Sequence, residues 1–304
     1  MKPARGIVLI VLAFTVFTVM SGFIKAADRV PAGQAVFFRS ACALPVVLIW
    51  LWIRGDLSHG LRTQNYRGHI MRSVAGTMAM GLGFAGLKFL PLPEVTALRF
   101  ITPILIVIFA AVLLGERIRL VRLSAVLMGL VGVLVILWPR LGDGLVGAGQ
   151  REMIGAAMVL GSACFAAFAQ IFIKRMASGE TTAAIVFYFS LTSLSLSLLS
   201  APFGWVWPTG SEWALLTGAG LIGGLGQVLL TSSYRFADAS ILAPFTYVSM
   251  IWALLIGYFV FDEVPTGIML AGAALVIFSG VVIVLRERQL GRGRAAMRST
   301  AQPK

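Results

Sequence analysis

The sequence predicts an all-α integral membrane protein, with ten transmembrane helices in two inverted five-helix repeats. Three observations carry the prediction. Hydrophobic residues make up 59% of the 304 and charged ones only 12%, whereas a soluble domain is about half apolar and a quarter charged. The apolar residues fall in ten runs of roughly 18 to 23, each long enough to cross about 30 Å of hydrocarbon as a helix. The chain also aligns loosely with itself, Gly6–Lys25 with Gly155–Lys174 and Leu90–Pro103 with Phe236–Ser249, which marks an internal repeat.

In order, the spans are expected near 6–26, 32–53, 68–87, 92–114, 120–138, 153–173, 181–201, 212–233, 239–261 and 267–285. The first follows Lys2 and Arg5, as a secretory signal would, but its apolar run is too long and no small-residue cleavage site follows. It is read as an uncleaved span. Residues 1–140 form the first repeat, 141–152 a Gly-rich linker, 153–288 the second repeat, and 289–304 a basic, disordered tail. Because each repeat holds an odd number of spans, the second runs through the bilayer upside down relative to the first.

The formal charge of +13 is a matter of topology. With the N-terminus inside, the inner segments hold Lys2, Arg5, Arg54, Arg62, Arg67, Arg117, Arg119, Arg122, Lys174, Arg175, Arg235 and the six basic residues from Arg286 to Lys304. The outer ones hold only Lys25, Arg29, Lys88, Arg140 and Arg151. That asymmetry places both termini in the cytoplasm of a bacterial inner membrane and removes the argument for a nucleic-acid surface. Six of the seven tryptophans sit at span ends, where amphipathic rings favour the headgroup layer; Trp252 does not. Cys42 and Cys164 are read as small residues of the bundle interior.

Enzyme chemistry finds no footing. His59 and His69 lie in or beside the second loop, no metal-ligand cluster is spaced along the chain, and GLGFAG (Gly81–Gly86) falls inside a span, where glycines pack helices. No cofactor is expected.

FFRS in span 2, LPLPEVTAL with its later Pro103, LLGER, the long segment Tyr234–Pro265 and the closing GAALVIFSGVVIVLRE together resemble the EamA-type drug/metabolite transporters. The resemblance covers nearly the whole chain. It implies an inverted-repeat secondary carrier with a central cavity, moving a small organic metabolite by alternating access. A non-transporting membrane protein, either a lipid-handling enzyme or a structural subunit, is the alternative, and a homodimer is left open. Substrates of two kinds are expected: a riboflavin-like or other planar metabolite, or an amino acid or organic anion.

Charged groups inside the membrane cost about 3 kcal/mol each on insertion scales and face a cavity or a partner. Arg39 and Arg99 each lie about seven residues below the outer face, roughly 10 Å deep at about 1.5 Å per residue. Both are candidates to line the outer part of the cavity and hold a carboxylate, a phosphate or a carbonyl-rich group. The resemblance implies that an arginine at Arg39 is general in the family, whereas Arg99 marks a subgroup. For Arg39 a brace is the alternative, donating to carbonyls freed near Pro45 or to Asp28. Arg72 and Lys88 are expected to be solvated near span ends. Every acid falls in a loop or near a span end, Glu94 being the nearest to a coupling group. In span 8, Gly220, Gly224, Gln227, Thr231 and Tyr234 share one face, with a GxxxG for close approach and polar residues for the cavity. Thr96 shares a face with Arg99, and Ser190, Ser193, Ser197 and Ser200 form another stripe. Tyr247 and Trp252 are expected to wall a planar ligand or to pack against neighbouring helices. Pro103 and Pro244, in matching spans, predict kinks able to serve as gates.

Overall fold

A computed structural model describes residues 3–53, 55, 60–114, 124, 127–129, 131–136, 138, 148–177, 179–237, 242–278 and 281–282. Part of span 5, the linker through 147, the tail, and Asp56, His59, Glu116, Asp143, Asp238 and Glu287 lie outside these residues.

Apolar composition gives the helices and a few polar residues set their ends. The described elements are α1 (Pro3–Ala26), α2 (Ala32–Ile53), α3 (Tyr66–Gly86), α4 (Leu92–Arg99), α5 (Thr102–Leu114) and an apolar stretch α6 (Leu127–Ile136). The second half supplies α7 (Ala148–Met176), α8 (Thr182–Leu198), α9 (Gly210–Phe236), a 3-10 helix (Ala243–Tyr247), α10 (Val248–Phe261) and α11 (Gly267–Phe278). By length and composition, α1, α2, α7 and α9 each suffice to cross a bilayer. Asn65 caps α3 through Gly68 N–H, Thr181 caps α8 through Ala184 N–H, and Thr209 with Glu212 makes a capping box on α9.

Two expected spans are each divided. Span 4 breaks at Phe100–Ile101 into α4 and α5, and Pro103 is the second residue of α5. Span 9 begins as the 3-10 turn that contains Pro244 before it becomes α10. Proline cannot donate to the preceding turn, so each span tightens or opens where the proline enters.

Helix packing itself shows the two-fold relation between the halves. Span 1 lies along span 8 (α1 on α9), and its counterpart contact, span 3 along span 6 (α3 on α7), is equally present. The same exchange relates α2 on α9 to α3 on α8, and α1 on α10 to α4 and α5 on α7, while α2 on α8 and α4 on α10 map onto themselves. Each half therefore packs chiefly through the other. One close seam is α2 on α9: a Cβ added at Gly220 would lie 2.5 Å from Cys42 Cβ and 2.8 Å from Phe38 O, and one at Gly224 2.9 Å from Ala43 Cα. Only glycine at these two positions lets the backbones approach this closely.

Candidate substrate site

The α2–α9 seam delivers Arg39 to the interior. Its side chain is 2% exposed, and Nη2 donates to Gly223 O at 3.3 Å and to Gln227 Oε1 at 3.4 Å. The expected brace to Pro45 or Asp28 is replaced by one to α9, because Gly220 and Gly224 bring that helix within reach of the guanidinium. Gln227 is buried and passes the contact on to Thr231 Oγ1 at 3.4 Å. Arg39 Nε and Nη1 are buried without a partner.

Arg72 is the residue that sequence reasoning misplaced. Six residues into α3, it was expected in solvent, yet it is 2% exposed. Loop residues Gly60–Asn65 fold over the helix end through Tyr188 Oη on Leu61 O (3.1 Å) and Thr181 Oγ1 on Gly60 O (2.5 Å). Arg72 Cζ stacks 3.6 Å from the centre of the Phe189 ring on α8, and Arg39 Cζ lies 5.1 Å from the same ring. The two guanidinium carbons are therefore no farther apart than the sum of those distances. Nε and Nη1 of Arg72 are also unpartnered, as are the hydroxyls of Ser40, Ser73 and Ser190. At roughly 9 Å and an effective dielectric near 20, two like charges repel by about 2 kcal/mol, partly offset by the ring face. A polar stripe on α3, His69, Arg72, Ser73 and Thr77, was the available signal, because such a stripe in a membrane helix points inward.

The other predicted residues are distributed around this centre. Arg99 is half-buried between α3 and α7, its Nη2 3.5 Å from Ser162 Oγ and directly against Gly83. Equal depth thus placed Arg39 and Arg99 against different helices. Thr96 bonds back to Leu92 O (2.9 Å). Tyr234 donates to Gln170 Oε1 at 2.9 Å, tying α9 to α7. Tyr247 meets Phe100 edge-on at 4.9 Å, joining the two broken spans at their breaks, and Trp252 is 37% exposed. In the serine stripe, Ser193 pairs with Thr77 at 2.6 Å, whereas Ser197 and Ser200 bond back to Leu194 O and Ser197 O. A separate cavity of about 270 Å³ at the start of α2, lined by Gln34, Phe37, Phe38, Trp205, Trp207 and Trp213 among others, contains none of the predicted site residues.

Both ends of the bundle are tied across the halves. At one end Lys25 Nζ meets Glu263 Oε1 at 2.7 Å and donates to Leu90 O at 3.0 Å, while Glu263 Oε2 accepts Leu92 N–H at 2.9 Å. Asp262, in the left-handed region at φ 53°, ends α10, and Glu263 N–H returns to Gly257 O at 2.9 Å. This turn aims the Glu263 carboxylate at Lys25. At the opposite end Thr63 Oγ1 donates to Glu180 Oε1 at 2.8 Å, His69 Nε2 lies 3.4 Å from Glu180 Oε2, and Arg235 donates to Glu180 O. Burial pushes the Glu180 carboxyl up, but the hydrogen bond from Thr63 and the nearby His69 imidazole outweigh it and hold the group below the usual carboxylate range. Expected at the edge of a loop, His69 is instead 2% exposed. Among the described residues no three His, Cys, Asp or Glu side chains gather into a metal-binding group.

Known proteins resemble this chain along most of its length. The pseudopaline exporter CntI of Pseudomonas aeruginosa is 30% identical over 91% of this chain and 95% of its own length. The riboflavin transporter of Vibrio cholerae is 28% identical over 92% of each, and the S-adenosylmethionine uptake transporter of Rickettsia bellii is 28% identical over 86% of each. A solved crystal structure matches with a TM-score of 0.68 at 22% identity, over 94% of this chain and 99% of that one, a likeness of fold alone. The profile of the EamA-like transporter family matches residues 4–138 and again 153–286. The chain therefore belongs to the EamA-like transporter family, as a multi-pass membrane transporter of small metabolites rather than an enzyme.

Proposed function

We propose that this chain carries a small organic anion across a bacterial inner membrane by alternating access, with both termini in the cytoplasm and the substrate's acidic group held by buried arginine. The observation that carries the reading is Arg39. It is a guanidinium from the first half, bonded to Gln227 of the second, with two nitrogens still unpartnered in the bundle interior. An unpaired cation in this setting is costly, and a ligand carboxylate or phosphate supplies the acceptors it lacks. The planar class draws less support, since Tyr247 is engaged with Phe100 rather than aligned with Trp252. With the N-terminus inside, the Lys25–Glu263 tie closes the outer mouth and the Thr63–Glu180 tie the inner one, so transport alternately releases each.

The test is counterflow in proteoliposomes with labelled succinate, L-glutamate and riboflavin. Saturable exchange of an anion, lost in Arg39→Gln while the protein remains monodisperse, is the expected result. Exchange confined to riboflavin and indifferent to Arg39→Gln overturns the anion reading. Reporter fusions at each terminus check the orientation, and opposite signals from the two ends would refute it.

A further inference from the structure

Arg39 and Arg72 face one ring, and the surrounding polar atoms are short of acceptors. Four guanidinium nitrogens, Nε and Nη1 of each arginine, are buried and unpartnered. The residue after each member of the Arg39, Arg72 and Phe189 cluster is a serine, and all three hydroxyls, Ser40, Ser73 and Ser190, are equally unpartnered. Gly223 O and Gln227 Oε1 together engage a single nitrogen of Arg39. Among the described residues no carboxylate lies within ion-pair distance of either guanidinium. Glu180, just before α8, is engaged instead by Thr63 and by His69, which lies one turn before Arg72 along α3. Among the described residues the centre therefore has two positive charges, a surplus of donors and no carboxylate.

We infer that Arg39 and Arg72 form one site for a small dianion, a dicarboxylate or a phosphate monoester, which bridges the two guanidiniums beside Phe189 and accepts from the serine hydroxyls. This rests on the carrier reading and sharpens it, since a single carboxylate would satisfy Arg39 and leave Arg72 as a buried, uncompensated cation. Two charges on one small molecule answer both. Arginine suits the role because its planar fork presents paired donors to carboxylate or phosphate oxygens. The site joins α2 and α3 of the first half to α8 of the second, so a bound dianion draws the halves together at their centre.

The experiment compares ligands that differ by one charge and little else, on the intact wild-type protein in detergent at pH 8. Methyl phosphate is set against dimethyl phosphate, and succinate against its monomethyl ester, by calorimetric titration. At least one dianion should bind about tenfold or more tighter than its monoanionic partner, the difference expected from one further charge-assisted contact. Whichever pair discriminates assigns the phosphate or the dicarboxylate class. Arg72→Gln should abolish the discrimination, and Ser190→Ala, which removes only an unpartnered hydroxyl, should weaken the dianion about threefold or more without lowering the melting temperature. Equal affinity within both pairs, binding of neither dianion, or discrimination that survives in folded Arg72→Gln overturns the inference. Counterflow separates this failure from that of the carrier reading. Saturable glutamate exchange lost in Arg39→Gln but unchanged in Arg72→Gln leaves an anion carrier with a single-arginine site, whereas no exchange of any probe removes both.

Discussion

The glycine seam between α2 and α9 gives the sharpest prediction. In Gly220→Ala the new methyl would lie 2.5 Å from Cys42 Cβ and 2.8 Å from Phe38 O, where ordinary carbon contacts need about 3.5 to 4 Å. One of these neighbours is backbone, so rotating a side chain does not relieve it. Helices α2 and α9 must separate by about 1 Å. The overpacking costs about 1–3 kcal/mol. The bonds from Arg39 to Gly223 O and Gln227, already long at 3.3 and 3.4 Å, are lost for about 1 kcal/mol more. A total near 2–4 kcal/mol lowers the melting temperature by about 3–6 °C, at about 2.1 cal/mol/K of unfolding entropy per residue over 304 residues. Intrinsic-fluorescence melts of the detergent-solubilised protein measure it. Adding Cys42→Gly should recover part of the loss, because it removes the side-chain clash and leaves the one with Phe38 O. A Gly220→Ala protein melting within about 1 °C of wild type would refute the reasoning, since no smaller motion accommodates the methyl.

Glu263→Gln removes the charge that Lys25 meets while keeping an acceptor for Leu92 N–H. A loss of about 1–3 kcal/mol is expected in the same melts, shrinking in 1 M salt as the wild-type pair is screened. For Glu180 the sign follows from a carboxyl held below its unfolded value of about 4.3. The stabilisation is fully present above that pH and is lost as pH falls through the lower folded value. Melting temperatures scanned from pH 7 to pH 3 should fall in that window, and Glu180→Gln, already without the charge, should show a smaller drop. Arg99→Gln should leave succinate affinity within about threefold of wild type, because Arg99 contacts Ser162 and Gly83 rather than the Phe189 ring; a tenfold or larger loss, read by calorimetry, would move the site towards α4.

Much of the architecture was legible because a bilayer restricts the choices. Ten apolar runs and a five-span offset were enough to anticipate an inverted pair of bundles, and Gly220 with Gly224 foretold a close seam. Pro103 and Pro244 foretold irregularity, although the sequence did not distinguish a bend from the turn at Phe100–Ile101 and the 3-10 tightening at Ala243–Tyr247. The centre was harder to see. Counting residues from a helix end gives depth but not azimuth, so Arg39 and Arg99 looked like partners and Arg72 looked solvated. Which helix lies opposite each side chain depends on how α2, α3 and α8 rotate against one another. Arg72 lies against the Phe189 ring of α8, a contact between helices that no local pattern along α3 reveals.

The fastenings at the two mouths are chemically unlike, one between opposite full charges and the other between a hydroxyl, an imidazole and a carboxylate. Salt screens the tie between full charges more than the one made by a neutral hydroxyl donor. The two doors therefore answer ionic strength unequally, and a change of salinity alone shifts which side stands open without anything touching the cargo.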